Sequence, residues 1–251
     1  MIVKHTIQLK KTILGDGFPK ICVPVLGRTK EEIVKQARVA SDAKGDLVEW
    51  RADFYRDVTD YEKAAGVLST LSKILGKIPL LFTFRTEREG GNREISMEEY
   101  KKLNLWAASR TEIDLIDVEG RWPEFQVHKL IEAVHTMGKP VVASSHFFDR
   151  TPERQEFISV FEELCDTGAE ILKVAVMPKN REDVLKLLSV TLEMDRKLHN
   201  PLISISMGRL GSISRVSGHL TGSAITFGSA GNVSAPGQLP VDELRRIQEL
   251  L

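Results

Sequence analysis

Lys173 is the only charged residue in the run ILKVAVMP, residues 171–178. Such a run reads as a strand buried on both faces. An ammonium buried there costs several kcal/mol unless it is paired or loses its proton. Only the neutral amine attacks a carbonyl carbon, so a lysine in this setting is a candidate for Schiff-base chemistry. The competing reading is a structural cation paired with Glu49 or Glu119. His146 lies near the C-terminal end of PVVASSHF, the run before the lysine run. On neighbouring strands the two side chains can share one substrate. Imine formation and α-proton removal both need an acid/base group with a pKa near neutrality, which histidine supplies.

Other charges fall where apolar residues belong. In LVEWRADF (47–54), alternation puts Glu49, Arg51 and Asp53 on one face and Trp50, Ala52 and Phe54 on the other. Those charges form either a binding face or an internal salt-bridge ladder. PLLFTFR ends in Arg85, and TEREGG follows, with Glu89 before Gly90 and Gly91. Arg85 reads as a strand-end charge, and Glu89 can fix the tautomer of His146. Arg215 offers a bidentate fork to a planar carboxylate. The segment SAPGQ (234–238) reads either as a plain polar loop or as part of a lid spanning 229–238, with Ser234 and Gln238 as hydrogen-bonding groups. No HExxH, CxxC, GxGxxG, Walker A or GxSxG string occurs, so metal, dinucleotide, nucleotide and serine-hydrolase chemistries lack their usual markers.

The elements that must hold these residues recur along the chain. Short apolar runs at 21–27, 47–54, 79–85, 115–120, 140–147, 171–178, 201–208 and 222–228 alternate with amphipathic helical stretches. Alternation of this kind builds a parallel sheet. Eight units in 251 residues predict a (β/α)8 TIM barrel occupying the whole chain as one domain. Thr29 and Glu32 form a capping-box pattern at the first helix. Residues 1–18 read as a β-hairpin turning at Gly15-Asp16-Gly17 and covering the bottom of the barrel, and VDELRRIQELL as the last helix.

Composition is consistent with this reading. With 42% hydrophobic and 28% charged residues the chain can bury a core under a solvated surface. Thirty-five basic residues balance thirty-five acidic ones, which leaves no global field to draw it to nucleic acid or anionic lipid. Cys22 and Cys165 are expected to be reduced and buried. The N-terminus lacks a secretory apolar core, and no run is long enough to span a bilayer, so a cytoplasmic protein is expected.

Taken in order, EWRAD, FTFRTEREGG, S-x-H-x-F-x-x-T-P (144–152), KVAVMP, SMGRLGSISRVSG, GSAITFG and SAPGQ resemble the type I 3-dehydroquinate dehydratases, from about residue 19 to about residue 240. The resemblance implies that Lys173 forms an imine, His146 is the general acid/base and Glu89 positions it. It implies that Glu49, Arg51 and Arg85 hold substrate hydroxyls, while Arg215, Ser234 and Gln238 capture the carboxylate of 3-dehydroquinate. It further implies that no metal or cofactor takes part and that the protein is a homodimer. Two positions depart from the family pattern. Phe147 stands where Asp or Asn is usual, which predicts altered loop packing, and Pro24 replaces a substrate-contacting serine of some members. The alternatives are a class I aldolase, for which GSAG (228–231) is a poor phosphate loop, and a non-catalytic barrel that binds a shikimate-pathway acid.

Overall fold

The structure is a computed structural model that describes residues 4–122, 126–231 and 235–251. It opens with an antiparallel hairpin, β1 (Ile7–Leu9) and β2 (Thr12–Leu14). The barrel strands and helices then alternate. They are β3 (Lys20–Val25), α1 (Lys30–Asp42), β4 (Leu47–Arg51), α2 (Tyr61–Leu75), β5 (Leu80–Thr83), α3 (Met97–Ala108), β6 (Leu115–Glu119) and α4 (Val127–His135). The second half runs β7 (Val141–Phe147), α5 (Arg154–Asp166), β8 (Ile171–Val176), α6 (Arg181–Lys197), β9 (Leu202–Ser206), α7 (Gly218–Thr221), β10 (Ile225–Ser229), the two-residue β11 (Leu239–Pro240) and α8 (Val241–Leu250).

Neighbouring strands pair in parallel in the order β11-β10-β3-β4-β5-β6-β7-β8-β9. The curled sheet meets itself where Ala224 N–H donates to Leu202 O at 2.7 Å and Ser204 N–H to Ser223 Oγ at 3.1 Å. This is the expected (β/α)8 barrel. Its outer face, with Trp50, Phe82 and Val118, packs under helix residues such as Leu130 and Phe161.

Period-two alternation explains the interior. The innermost residues at the strand starts are apolar: Cys22, Leu47, Leu81, Leu115, Val142, Ile171, Ile203 and Ile225 cluster with Leu9 and Leu14 of the hairpin. The hairpin thus closes the N-terminal end. Two residues further along β4 to β8 the buried inward positions become Glu49, Thr83, Asp117, Ser144 and Lys173. On β9 and β10 the equivalent step gives Ile205 and Phe227, which stay apolar. One side of the mouth is therefore ionic and the other greasy.

Four local expectations change. The hairpin turns at Lys10-Lys11, with Lys10 at φ +49°, and not at Gly15–Gly17, which instead joins the hairpin to β3. No glycine or asparagine marks that turn; Lys10 holds Asp114 at 2.8 Å. β4 stops at Arg51, and Ala52–Phe54 form a 3-10 turn that carries Asp53. Cys165 is only half-buried, whereas Cys22 is buried. At α1, Thr29 Oγ1 accepts from Glu32 N–H, but the Glu32 carboxylate takes Arg28 N–H, so the box is half made. The reciprocal box forms at α3, between Ser96 and Glu99.

Candidate active site

At the C-terminal ends of the strands lies a cavity of about 580 Å3, mouth included, lined by Lys173, His146, Glu89, Glu49, Arg51, Arg85, Arg215 and Gln238 together with Thr83, Phe148, Met207 and Phe227. Chemistry in barrels of this kind gathers at this end. Ser234 lies outside the described residues.

Lys173 projects from β8. Its Nζ donates to Asp117 Oδ2 at 3.2 Å, stands 3.8 Å from Glu49 Oε1 and lies over the Phe227 ring at 4.6 Å from the centroid. The partners differ from the pair expected from the sequence: Asp117 takes the place of Glu119. Glu119 instead accepts from Thr86 N–H and Thr86 Oγ1, each at 2.8 Å, and so anchors the turn that presents Glu89.

His146 ends the inward row of β7. Its Nδ1 lies 2.8 Å from Glu89 Oε2, the pairing anticipated from the sequence. Glu89 reaches it from a 3-10 turn (Glu87–Glu89) that folds back because Gly91 packs on the backbone of Arg85 and Thr86, where a Cβ would meet Arg85 O at 1.9 Å. The Phe148 ring stacks 6.1 Å from the His146 ring. Phe147 lies between the guanidinium groups of Arg121 and Arg150, at 5.5 and 5.3 Å from its ring centroid.

The arginines divide into two kinds. Arg51 is occupied, its Nε and Nη2 both donating to Asp53 at 2.9 Å. Arg85 is a buried hub: Nη2 donates to Asp117 at 2.7 Å, and Nη1 to Ser144, Glu119 and Glu89 at 2.9, 3.2 and 3.3 Å. Arg215 is different. Among the described residues it donates only to the carbonyls of Phe227 and Pro236, its buried Nε has no partner, and no carboxylate pairs with it. Pro236 O also accepts from Gly208 N–H at 3.1 Å, so the segment after the undescribed residues is tied to the end of β9 beside that charge.

Burial shapes the titration of the pair. Desolvation, then the cations of Arg85, Lys173 and Arg51, push the His146 imidazole well below its ordinary value, so it is neutral at neutral pH. Desolvation pushes Glu89 up, partly countered by Arg85. Burial also draws Arg215 down, to about 10, leaving it a cation near neutrality.

Among the buried residues here that were not singled out from the sequence are Asp117 and Ser144. Asp117 had a signal: LIDVEG (115–120) puts two carboxylates two residues apart in an otherwise apolar strand. Ser144 had none, because a small hydroxyl is unremarkable in a strand. Pro24 pairs with Glu49 in the β3–β4 register and brings no hydroxyl.

A primary amine on a barrel strand, sharing one cavity with a neutral base and with a guanidinium that meets no carboxylate among the described residues, defines a barrel equipped to engage a keto acid through nitrogen. Comparison with known proteins narrows that class. A family model described as type I 3-dehydroquinase matches residues 21–251. A 3-dehydroquinate dehydratase of Clostridium botulinum is 42% identical over 250 residues, covering 99% of this chain and 98% of the relative. The crystal structure of 3-dehydroquinate dehydratase from Geobacillus kaustophilus superposes with a TM-score of 0.95 at 38% identity, over 98% of this chain and 96% of that one. A type I 3-dehydroquinate dehydratase from Clostridium difficile, solved with covalently modified comenic acid, gives 0.94 at 40% identity, over 99% and 98%. The chain belongs to the type I 3-dehydroquinase family.

Proposed function

We propose that this chain is a 3-dehydroquinate dehydratase that works through an imine on Lys173. The observation that carries the reading is one cavity lined by the Lys173 amine, the Glu89-held His146 imidazole and the Arg215 guanidinium, which meets no carboxylate among the described residues. Arg215, joined by Gln238 and Ser234, binds the C1 carboxylate. Its fixed charge orients C1 and C2 against His146, where a misplacement of ~1 Å costs on the order of 100-fold. Glu49, Arg51 and Arg85 form the polar wall that meets the ring hydroxyls, while Met207 and Phe227 meet its apolar face.

His146, kept neutral by its surroundings, accepts the proton that Lys173 must shed. The amine then bonds to C3, and the carbinolamine hydroxyl takes that proton back from His146 as it leaves as water, so that an iminium stands beside an imidazole that is neutral again. That cation acidifies C2–H, and His146 removes the proton, with Glu89 opposite the charge that appears on the ring. The enamine expels the C1 hydroxyl as protonated His146 returns the proton on the same face. An imidazolium whose pKa is depressed is a strong donor, which suits a poor leaving group. Hydrolysis of the conjugated imine consumes one water and frees 3-dehydroshikimate, so the net loss is a single water.

The chain acts as one domain, and the 229–238 segment serves as the lid that excludes water from the imine; the tie between Pro236, Gly208 and Arg215 supports this. The unpaired cysteines fit a reducing, cytoplasmic setting, and the family resemblance supports a homodimer. No helix among the described residues is long and apolar enough to cross a membrane.

Borohydride added with 3-dehydroquinate is expected to fix the reduced ligand on Lys173, read by peptide mass, while untreated enzyme releases a product with enone absorbance. Trapping only with an aldol substrate would favour the aldolase, and no trapping with any ketone a binding barrel.

A further inference from the structure

We infer that Asp117 is a catalytic residue, the fixed counter-anion that receives the single N–H of the lysine iminium. The inference rests on the imine reading above and deepens it. Asp117 is fully buried on β6, and its two oxygens face different tasks. Oδ1 is saturated, accepting from Arg85 Nη2 at 2.7 Å and from Ser144 Oγ at 2.6 Å. Oδ2 faces the Lys173 amine at 3.2 Å.

Charge balance explains why this contact matters. Arg85 spreads one positive charge over Asp117, Glu119 and Glu89. Asp117 therefore leans on Lys173 for the rest. Burial alone would raise its pKa, but Arg85 and Lys173 outweigh that and hold it below the usual carboxylate range, so it stays an anion. Glu49 at 3.8 Å and the face of Phe227 complete a cage that favours positive charge at this nitrogen.

The chemistry needs such a cage twice. An ammonium has three hydrogens to donate, whereas the iminium has one. When the Nζ–C3 bond forms and the C3–O bond breaks, water leaves and the positive charge stays on nitrogen with one N–H. Oδ2 is the nearest acceptor for it. Asp117 takes no proton; it keeps the nitrogen protonated, so the C=N bond remains an electron sink while C2–H is broken. In the enamine the nitrogen is neutral, and on expulsion of the C1 hydroxyl the charge returns to it. A carboxylate fixed by Arg85 and Ser144 meets each cationic state without reorganising.

The test is Asp117→Asn in the full chain, which keeps the shape and removes the charge. The groups around the amine are Asp117 on β6, Glu49 on β4, Arg85 after β5, Glu89, His146 on β7 and Cys22 on β3. With Asp117 neutral, kcat is expected to fall about 100-fold, with KM within about threefold. The acid limb of kcat/KM should move to lower pH, because less negative charge holds the ammonium, and the isotope effect on kcat with C2-deuterated 3-dehydroquinate should rise. A merely structural role would not move the limb and the isotope effect together. Unchanged kcat, or an unmoved limb and isotope effect in a folded variant, overturns the inference. Should Asp117→Asn not fold, Ser144→Ala keeps the charge but loosens Oδ1; a kcat about threefold to tenfold lower is expected, and an unchanged kcat overturns the inference. Wild-type enzyme that traps no ligand on Lys173 fails the imine reading itself, whereas trapping in wild type with an unaffected Asp117→Asn fails this inference alone.

Discussion

At the scale of single residues, the site is a matter of which charges are spent and which are spare. Lys173 is neither free nor inert: it holds Asp117, which retains Arg85 and Ser144 when the amine is removed. Lys173→Met is therefore expected to abolish turnover and to lower stability by about 1–3 kcal/mol, the cost of leaving a buried acceptor partly unsatisfied; denaturant titration beside the enone assay measures both. Arg215 has charge to spare. Arg215→Lys keeps the cation and loses the fork, so KM should rise about 10- to 100-fold, with kcat less affected. His146 gives a pH prediction. Its folded pKa is lowered, so as pH drops through about 6.5 the unfolded chain takes up a proton that the native imidazole refuses, and stability falls. His146→Asn should flatten that part of the pH–stability curve, measured by denaturant titration between pH 7 and 5. Lys173 and His146 were legible because each is a charge or an imidazole out of place in its run, and Glu89 because it precedes two glycines in the segment after the Arg85 strand. The partnership of Lys173 with Asp117 was not, since which carboxylate meets the amine depends on the stagger between β6 and β8, two strands apart in the barrel.

At the scale of elements, β4 to β8 carry the site in the inward residues beyond their apolar first layer, and the segments after the strands supply the rest. The eight runs and their alternation with helices follow from apolar periodicity and capping, which are local. The turn of the hairpin was misplaced because a lysine adopts the left-handed conformation that glycine normally signals. The end of β4 was overrun because alternation of charge continues through Asp53 although the backbone has already tightened into a 3-10 turn. The segment after β5 shows how much depends on these connections. Gly91 N–H donates to Thr86 O at 2.8 Å, Glu119 grips Thr86, and Glu89 is thereby delivered to His146. A Cβ on Gly91 would run into the Arg85 carbonyl. Gly91→Ala should displace the turn and lower kcat by about 10- to 100-fold through the loss of Glu89, with a smaller change in KM. Steady-state kinetics with 3-dehydroquinate decide it; wild-type kcat would mean that Glu89 does not depend on this turn.

At the scale of the whole molecule, the barrel separates stability from chemistry along its axis. The N-terminal end is an apolar plug in which Leu9 and Leu14 of the hairpin pack against the first inward residues of the strands. The C-terminal end concentrates buried carboxylates, arginines and the lysine on β4 to β8, against an apolar arc on β9 and β10. An ionic cluster of that density is poor cement, since desolvation offsets much of what its pairs gain. The cost of holding it must be met by the greasy layers below and outside it. Leu14 tests this division because it is fully buried and absent from the cavity lining. Leu14→Ala removes its side-chain bulk from the plug and should cost about 2–5 kcal/mol of stability. Below the melting transition kcat and KM with 3-dehydroquinate should stay within about twofold of wild type, because the strands between plug and mouth remain hydrogen-bonded along their length. Thermal unfolding with kinetics on the same sample separates the two quantities. A variant that lost activity in step with no loss of stability would show that the bottom of the barrel is coupled to the geometry at the mouth.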